Sequence, residues 1–434
     1  MHILFLTPPL DGPATGGTLY NRQLLAALAE AHPHALTFEQ RTLEALPSAA
    51  PRAGAGGSTD CAPGTNPPSA EARSGVVSGA DSASLRGEAH FGSGKEGAPA
   101  TNPPSAEARS GVVSGIESAP GVSVADRAYV RGSGHAAWTG ATVSLGLEPQ
   151  VEQVWVDSLY LSALPDLRAR FEHETQLGLL LHYLPSLLGA PQLRTAAELS
   201  ATELRALEAA DVILTPSEYL RELIAEICPG KRCICVTPGV QVTQPGGASV
   251  RDGSALLICN VTENKGVLPF LRELAQVVQP EAAFELAIAG DLQLEAAYAR
   301  ACVALCDQHE WLREHVRFLG GVPQSELFVR LARASVLVSA SRIESYGMAL
   351  AEARALGTPI LALPGGNIAH HVAADSGGQL ARTPRELAQA LCALVADPAE
   401  RGLRLTRARA SASVRPWSAA AADFIALAIE ARER

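Results

Sequence analysis

A chain of 434 residues with 47% hydrophobic and 18% charged residues is too long for one ordinary core and reads as two globular domains. Its formal net charge of −10 disfavours general binding to nucleic acid or to an anionic membrane, because both recruit clustered Lys and Arg, and the sequence has no such cluster. The opening "MHILFLTPPL" has neither the basic flank nor the cleavage site of a signal peptide and is too short to cross a bilayer. Eight cysteines scattered through apolar runs read as free thiols, and a cytoplasmic location is the expectation.

The first segment reads strand, glycine turn, helix: "HILFLT", "PPLDGPATGG", "TLYNRQLLAALAEA". After "HALTFEQRTL", short apolar runs recur ahead of helical patterns: "VEQVWVDS", "LGLLLHYL", "DVILTPS" and "CICVTPG". This is the βα alternation of a parallel sheet covered on both faces. A Pro- and Gly-rich stretch near 238–253 separates it from a second series, "ALLICNV", "FELAIAG", "HVRFLGG", "SVLVSAS" and "TPILAL", interleaved with helices such as "VLPFLRELAQVV" and "SELFVRLARA". The expected architecture is α/β, with two Rossmann-like, doubly wound domains over about 1–240 and 250–415 and a last helix over 416–434 that could pack on either.

Residues 48–138 break this rhythm. They are dominated by Ala, Gly, Ser and Pro, and they contain "TNPPSAEARSGVVSG" twice, from Thr65 and from Thr101. Two copies led by Pro-Pro, with no amphipathic face, cannot stack as a solenoid, and the segment reads as a disordered, duplicated insertion in the first domain.

In open α/β sheets ligands bind at the carboxyl ends of strands, where helix N-termini present unpaired amides. Gly16 and Gly17 follow the first strand; paired glycines admit a phosphate to the backbone and equally serve a tight turn. Lys265, in "NVTENKGVL", falls at a helix start. The helix dipole disfavours a cation there unless an anion shares the site, and a lysine extended into water is the equal alternative. His182 and Asp157 each end an apolar strand, where a hydrogen-bonded structural role competes with a chemical one.

The stretch "SRIESYGMALAEARALGTPI" (341–360) sets two carboxylates in apolar surroundings. Glu344 falls in the loop after a strand. Glu352 falls in the second turn of a helix starting near Tyr346 or Gly347, on the face of Met348, Ala355 and Leu356, where a carboxylate is costly to bury without polar partners. At ~1.5 Å per residue the two lie on the order of 10 Å apart, wider than the ~5 to 9.5 Å of a glycoside hydrolase pair. Two ends of one elongated ligand fit that span; two surface glutamates are the alternative on spacing alone.

The pattern "ESYGMALAEARALGTPI" resembles the E-x7-E region of retaining family 4 glycosyltransferases of the GT-B fold. "GPATGGTLYNRQLLAALA", "ADVILTPSEYLRELI", "VTPGV", "NKG", "LAIAGD", "VRFLGGV" and "GTPILALPGG" look like successive landmarks of the same family. The resemblance implies two domains facing a cleft, the first for the acceptor and the second for a nucleotide-diphosphate sugar. By that likeness Glu344 binds the donor sugar near the reacting carbon and Glu352 binds the ribose. The amides of Ser345, Tyr346, Gly347 and Met348 face the diphosphate together with the Gly16–Gly17 loop, and Lys265 neutralises the departing charge. His182 matches a histidine near the sugar. No metal and no cofactor are implied, because lysine and helix dipoles do what divalent ions do elsewhere. This chain has Asn260 in the donor site where many relatives carry an arginine, with Arg342 as a candidate replacement. It reads "IAHH" after "PGGN" where relatives often show a proline and a glutamate.

The leading expectation is therefore a cytoplasmic, metal-independent, retaining glycosyltransferase acting on a nucleotide sugar and an unidentified acceptor. No nucleic acid or transmembrane segment is expected, while peripheral membrane contact is compatible with the sequence. The alternatives are a nucleotide-sugar epimerase of the same fold and an inactive binding protein. If 48–138 is an insertion outside the core, deleting residues 50–135 leaves the melting temperature and basal activity unchanged; a large fall in melting temperature in a thermal-denaturation scan rejects that reading.

Overall fold

The computed structural model describes residues 1–10, 15–31, 37–43, 151–171, 174–189, 193–241, 253–373 and 375–429. The expected disordered insertion at 48–138 lies outside them. Among the described residues no helix is long and apolar enough to cross a membrane.

Two six-stranded sheets organise the chain, and every strand pairing in them is parallel. The first contains β1 (His2–Leu6), β2 (Thr37–Arg41), β3 (Val151–Asp157), β4 (Gln176–Leu180), β5 (Val212–Thr215) and β6 (Arg232–Cys235), in the order β2-β1-β3-β4-β5-β6. The second contains β7 (Ala255–Ile258), β8 (Leu286–Ala289), β9 (Val316–Gly320), β10 (Val336–Ser339), β11 (Ile360–Ala362) and β12 (Gln379–Leu380), in the order β12-β11-β10-β7-β8-β9. In each sheet the chain starts on an interior strand and later reverses direction across it. The reversal falls between β1 and β3 in the first sheet and between β7 and β10 in the second. Such switch points open a crevice beyond the strands' carboxyl ends.

The central strands are buried on both faces, as parallel sheets require. Leu4, Leu6, Val154 and Val156 join one core layer, while Ile3, Phe5 and Trp155 join the opposite one. The second sheet divides in the same way, Leu257, Ile288 and Val338 to one side and Leu256, Leu337 and Ile360 to the other. Gly178 on β4 makes room for the Trp155 indole, since a Cβ there would sit 2.4 Å from the ring. The indole N–H donates to Gln153 Oε1 at 3.0 Å, and Gln153 Nε2 donates to the Ala428 carbonyl at 3.1 Å.

That last bond settles where the final helix packs. Helix Trp417–Phe424, continued by one wider turn over Ile425–Ile429, lies on the first sheet against helix Gly16–Ala31. Phe424 meets Trp155 and Phe5 with ring centroids 5.1 and 5.8 Å apart. The chain returns through a tight crossing in which Val240 N–H donates to the Arg415 carbonyl at 2.7 Å and Arg415 Nε donates to the Thr237 carbonyl at 3.2 Å. Gly239 is obligatory there, because a Cβ would come within 2.4 Å of the Trp417 amide. Phe424 is fully buried, so Phe424→Ala should cost about 3 to 5 kcal/mol and lower the melting temperature of the first sheet's unit. Thermal or urea denaturation checks this, and a loss below about 1 kcal/mol contradicts the packing.

Candidate functional site

At the second sheet's switch point, the loops leaving β7 and β10 come together. Gly266 adopts φ +65°, and a Cβ there would lie 2.2 Å from the Ala340 carbonyl, so only glycine allows this approach. Arg342 N–H donates to the Asn264 carbonyl at 2.9 Å across the same gap. Lys265 sits in a short 3₁₀ turn, Glu263–Lys265, just ahead of helix Val267–Val277. Its Nζ donates to Glu344 Oε1 at 2.6 Å, and Ser341 Oγ donates to the same oxygen at 2.8 Å. Both side chains are about one-fifth exposed, so a ligand can reach them. Burial pulls the Lys265 pKa down, but the Glu344 carboxylate outweighs it, and the ammonium titrates above its ordinary value.

Asn260 ties two loops together. Its Oδ1 accepts the Asp291 N–H at 3.1 Å, which fastens the loop after β7 to the loop after β8. Gly290, between them, packs so closely that a Cβ would lie 1.9 Å from the Cys259 carbonyl. The Arg342 side chain is exposed.

Glu344 bridges to Gly366 in parallel fashion, and Asn367 N–H donates to the Glu344 carbonyl at 2.8 Å. The next two carbonyls are pinned from outside. Ser345 O accepts from Ser217 Oγ, at the start of helix Glu218–Ile227, at 2.6 Å. Tyr346 O accepts from Asn367 Nδ2 at 2.9 Å and from His371 Nε2 at 2.7 Å. The "IAHH" departure thus supplies a buried histidine that holds this loop. Burial first of all drives the His371 pKa down to about 4, and its Nδ1 meets no partner among the described residues.

Gly347, at φ +96°, then turns the chain into helix Met348–Ala355. Among the described residues, the N–H groups of Ser345, Tyr346, Gly347 and Met348 meet no acceptor. They lie at the positive end of the helix dipole, an arrangement that suits an anion. The loop also touches the first sheet's core: Ile343 belongs to one layer of it, and Met348 packs against the other.

Glu352 projects from the second turn of that helix and is 5% exposed. Desolvation raises its pKa to about 7, opposed by a hydrogen bond from Gln324 Nε2 to Oε1 at 3.0 Å. Gln324 opens helix Gln324–Arg333, just after β9, and nothing in the sequence around Glu352 points to it.

The first sheet's switch point gathers a second group. Gly16 and Gly17 open helix Gly16–Ala31. Gly17 lies against His182, where a Cβ would be 3.3 Å from the ring, whereas nothing lies within 4 Å of one built at Gly16. His182 Nε2 is 2.8 Å from Asn21 Oδ1, and Asn21 Nδ2 donates to Asp157 Oδ2 at 2.5 Å. Asp157 Oδ1 accepts the Leu159 N–H at 2.7 Å. Burial lowers the His182 pKa, with Asp157 opposing, so the imidazole is held neutral near pH 7. Asn21 has no counterpart in the sequence reading. Its one signal is a polar residue in the apolar stripe of Leu24, Ala27 and Leu28, where it is 1% exposed.

Residues 253–397 match the family described as Glycosyl transferases group 1. No curated protein sequence matches. Among solved structures, sucrose-phosphate synthase from Thermosynechococcus elongatus is similar over 100% of this chain and 99% of its own, with a TM-score of 0.61 and 17% identity. HepE from Anabaena in complex with UDP and glucose is similar over 64% of this chain and 78% of its own, with a TM-score of 0.53 and 18% identity. Its complex with UDP-glucose gives 65% and 79%, a TM-score of 0.53 and 16% identity. The two parallel sheets thus have the GT-B fold. A glycosyl transferase group 1 domain carried on that fold supports a glycosyltransferase enzyme.

The buried Glu352 has a pH signature. Below about pH 4.5 the carboxyl is protonated in both folded and unfolded chains. Between that pH and about 7 only the folded chain holds the proton, so stability falls as pH rises through this window. At about 1.4 kcal/mol per pKa unit the loss approaches roughly 3 kcal/mol above pH 7. Glu352→Gln removes it, so the variant should be the more stable protein at pH 8 and converge with the wild type near pH 4.5 to 5. Denaturation curves at both pH values check this, and equal stability at pH 8 refutes the buried-carboxyl account.

Proposed function

We propose that this chain is a retaining, metal-independent glycosyltransferase that moves a sugar from a nucleotide-diphosphate sugar to a hydroxyl acceptor. The observation that carries the reading is the Lys265–Glu344 pair beside the amides of Ser345–Met348, which meet no acceptor among the described residues, at the second sheet's switch point. A diphosphate placed on those amides would gain charge-assisted hydrogen bonds and the Lys265 ammonium. Glu344, held by Lys265 and Ser341, is set to accept sugar hydroxyls, and Glu352, on the helix that follows the loop, to accept those of the ribose.

The chemistry follows from these placements. The bond between the anomeric carbon and the diphosphate oxygen breaks, and its electron pair leaves with the nucleotide diphosphate. The acceptor oxygen bonds to the same carbon and passes its proton to the departing diphosphate oxygen, which carries the negative charge. Lys265 and the helix N-terminus stabilise the negative charge that grows on the leaving group, which is the work a divalent ion does in other transferases. His182 and Gly17, at the first sheet's edge, fit the acceptor side and the sugar.

A thermal-shift screen across nucleotide sugars, with product analysis of the best stabiliser, tests the reading. Net transfer to an added acceptor is expected; interconversion of the sugar without nucleotide release would make the chain an epimerase, and binding without turnover a binding protein. Glu352→Ala should raise KM for the donor roughly tenfold or more, whereas Glu344→Ala should lower kcat by a hundredfold or so with little change in binding. Unchanged kinetics in both variants would falsify the site.

A further inference from the structure

We infer that Asn21 is a positioning residue for His182: tethered by Asp157, it takes up the Nε2–H of the imidazole and leaves Nδ1 as a lone-pair atom suited to accept a hydrogen bond from a sugar hydroxyl. The sugar-hydroxyl role rests on the transferase reading, while the tautomer stands on geometry alone.

A carboxamide has two unlike ends, and its orientation is set by what each end faces. Asp157 Oδ2, 2.5 Å from Asn21, belongs to a carboxylate and can only accept, so it faces the Asn21 NH₂ group. The other Asp157 oxygen is already engaged by the Leu159 N–H. The Asn21 oxygen must then face His182 Nε2 at 2.8 Å. A carboxamide oxygen also only accepts, so Nε2 carries the proton, and in a neutral imidazole Nδ1 carries none. Asp157 itself stands 3.8 Å from Nε2, beyond hydrogen-bond reach, so its influence passes through Asn21.

The ring is held by packing as well. Its Cδ2 edge lies against Gly17, the Tyr20 ring sits 4.7 Å away centroid to centroid, and the His182 backbone amide N–H donates to Ser158 Oγ. Nδ1 has no hydrogen-bond partner among the described residues. A ring held this way presents an acceptor. The opposite tautomer would present a donor in its place, and the protonated ring two donors.

Selective ¹⁵N-histidine labelling, with His182→Gln to assign the signal, reads the tautomer in the full-length protein. The wild type should show a protonated Nε2 and a bare Nδ1, and Asn21→Leu, of similar shape without polar ends, should show both tautomers. An Nδ1–H tautomer in the wild type, or an unaltered signal in Asn21→Leu, overturns the inference. Asn21→Asp is the second variant, to be used if Asn21→Leu does not fold. It keeps an acceptor for Nε2 but adds charge beside a ring whose titratable neighbours among the described residues are Asp157 and Tyr20. The His182 midpoint should rise by roughly one to two units, and an unmoved midpoint overturns the inference.

With UDP-glucose as the probe donor, Asn21→Leu should lower kcat roughly tenfold or more with KM within about twofold, and should add no loss in a His182→Gln background. A full additional loss in that background overturns the positioning role. If the wild type neither binds nor turns over any nucleotide sugar, the transferase reading falls with the hydroxyl role, while the NMR result still decides the tautomer.

Discussion

A parallel sheet sends every strand's carboxyl end to one edge, and this constraint decides where chemistry can occur in the chain. Each helix that follows a strand begins at that edge with unpaired N–H groups. At the two reversals of strand order, between β1 and β3 and between β7 and β10, flanking loops diverge and leave room. Lys265 follows β7 and Glu344 follows β10; Gly17 follows β1 and Asp157 ends β3. Residues far apart in sequence meet because the sheets turn back at these points.

The charged groups at the two edges are treated differently. Lys265 and Glu344 pair at 2.6 Å while each stays about one-fifth exposed, which keeps both close to a prospective ligand. Among the described residues Glu352 has only a neutral amide for a partner, and its carboxyl is pushed toward the protonated form. Hydroxyls arriving at Glu352 would supply the hydrogen bonds that favour its ionised form, so nucleotide binding and loss of that proton would be linked. At the first sheet, Asp157 is insulated from His182 by an intervening carboxamide, so orientation is conveyed without an ion pair.

Much of the architecture was legible because parallel strands buried on both faces read as short apolar runs punctuated by Gly and Pro. "VEQVWVDS" and "SVLVSAS" announced β3 and β10 in this way, whereas β12, two residues long, carried no such signal. The oddness of two glutamates in an apolar stretch was also visible. Their partners were not: Gln324 comes from another helix, and Lys265 lies 79 positions from Glu344. The helix carrying Glu352 starts at Met348, a residue or two later than the pattern suggested, because Gly347 takes a left-handed conformation. Asn260, expected at the donor by family likeness, spends its side-chain oxygen on an Asp291 amide that the β8 loop would otherwise leave unpaired. Asn21 carries no comparable signal in the sequence, because a buried asparagine in a helix gains meaning only from what faces it.

The return of helix Trp417–Phe424 to the first sheet has a consequence for how the molecule is made. Residues 255–410 supply the second sheet and its helices without interruption, so that lobe can complete itself as it leaves the ribosome. The first lobe is synthesised earlier, and helix Gly16–Ala31 covers part of the Trp155 and Phe5 layer, but the part that Phe424 and Ala428 cover stays open until they emerge. In vectorial synthesis the last pieces of the first lobe's core therefore leave the ribosome only after the whole of the second sheet.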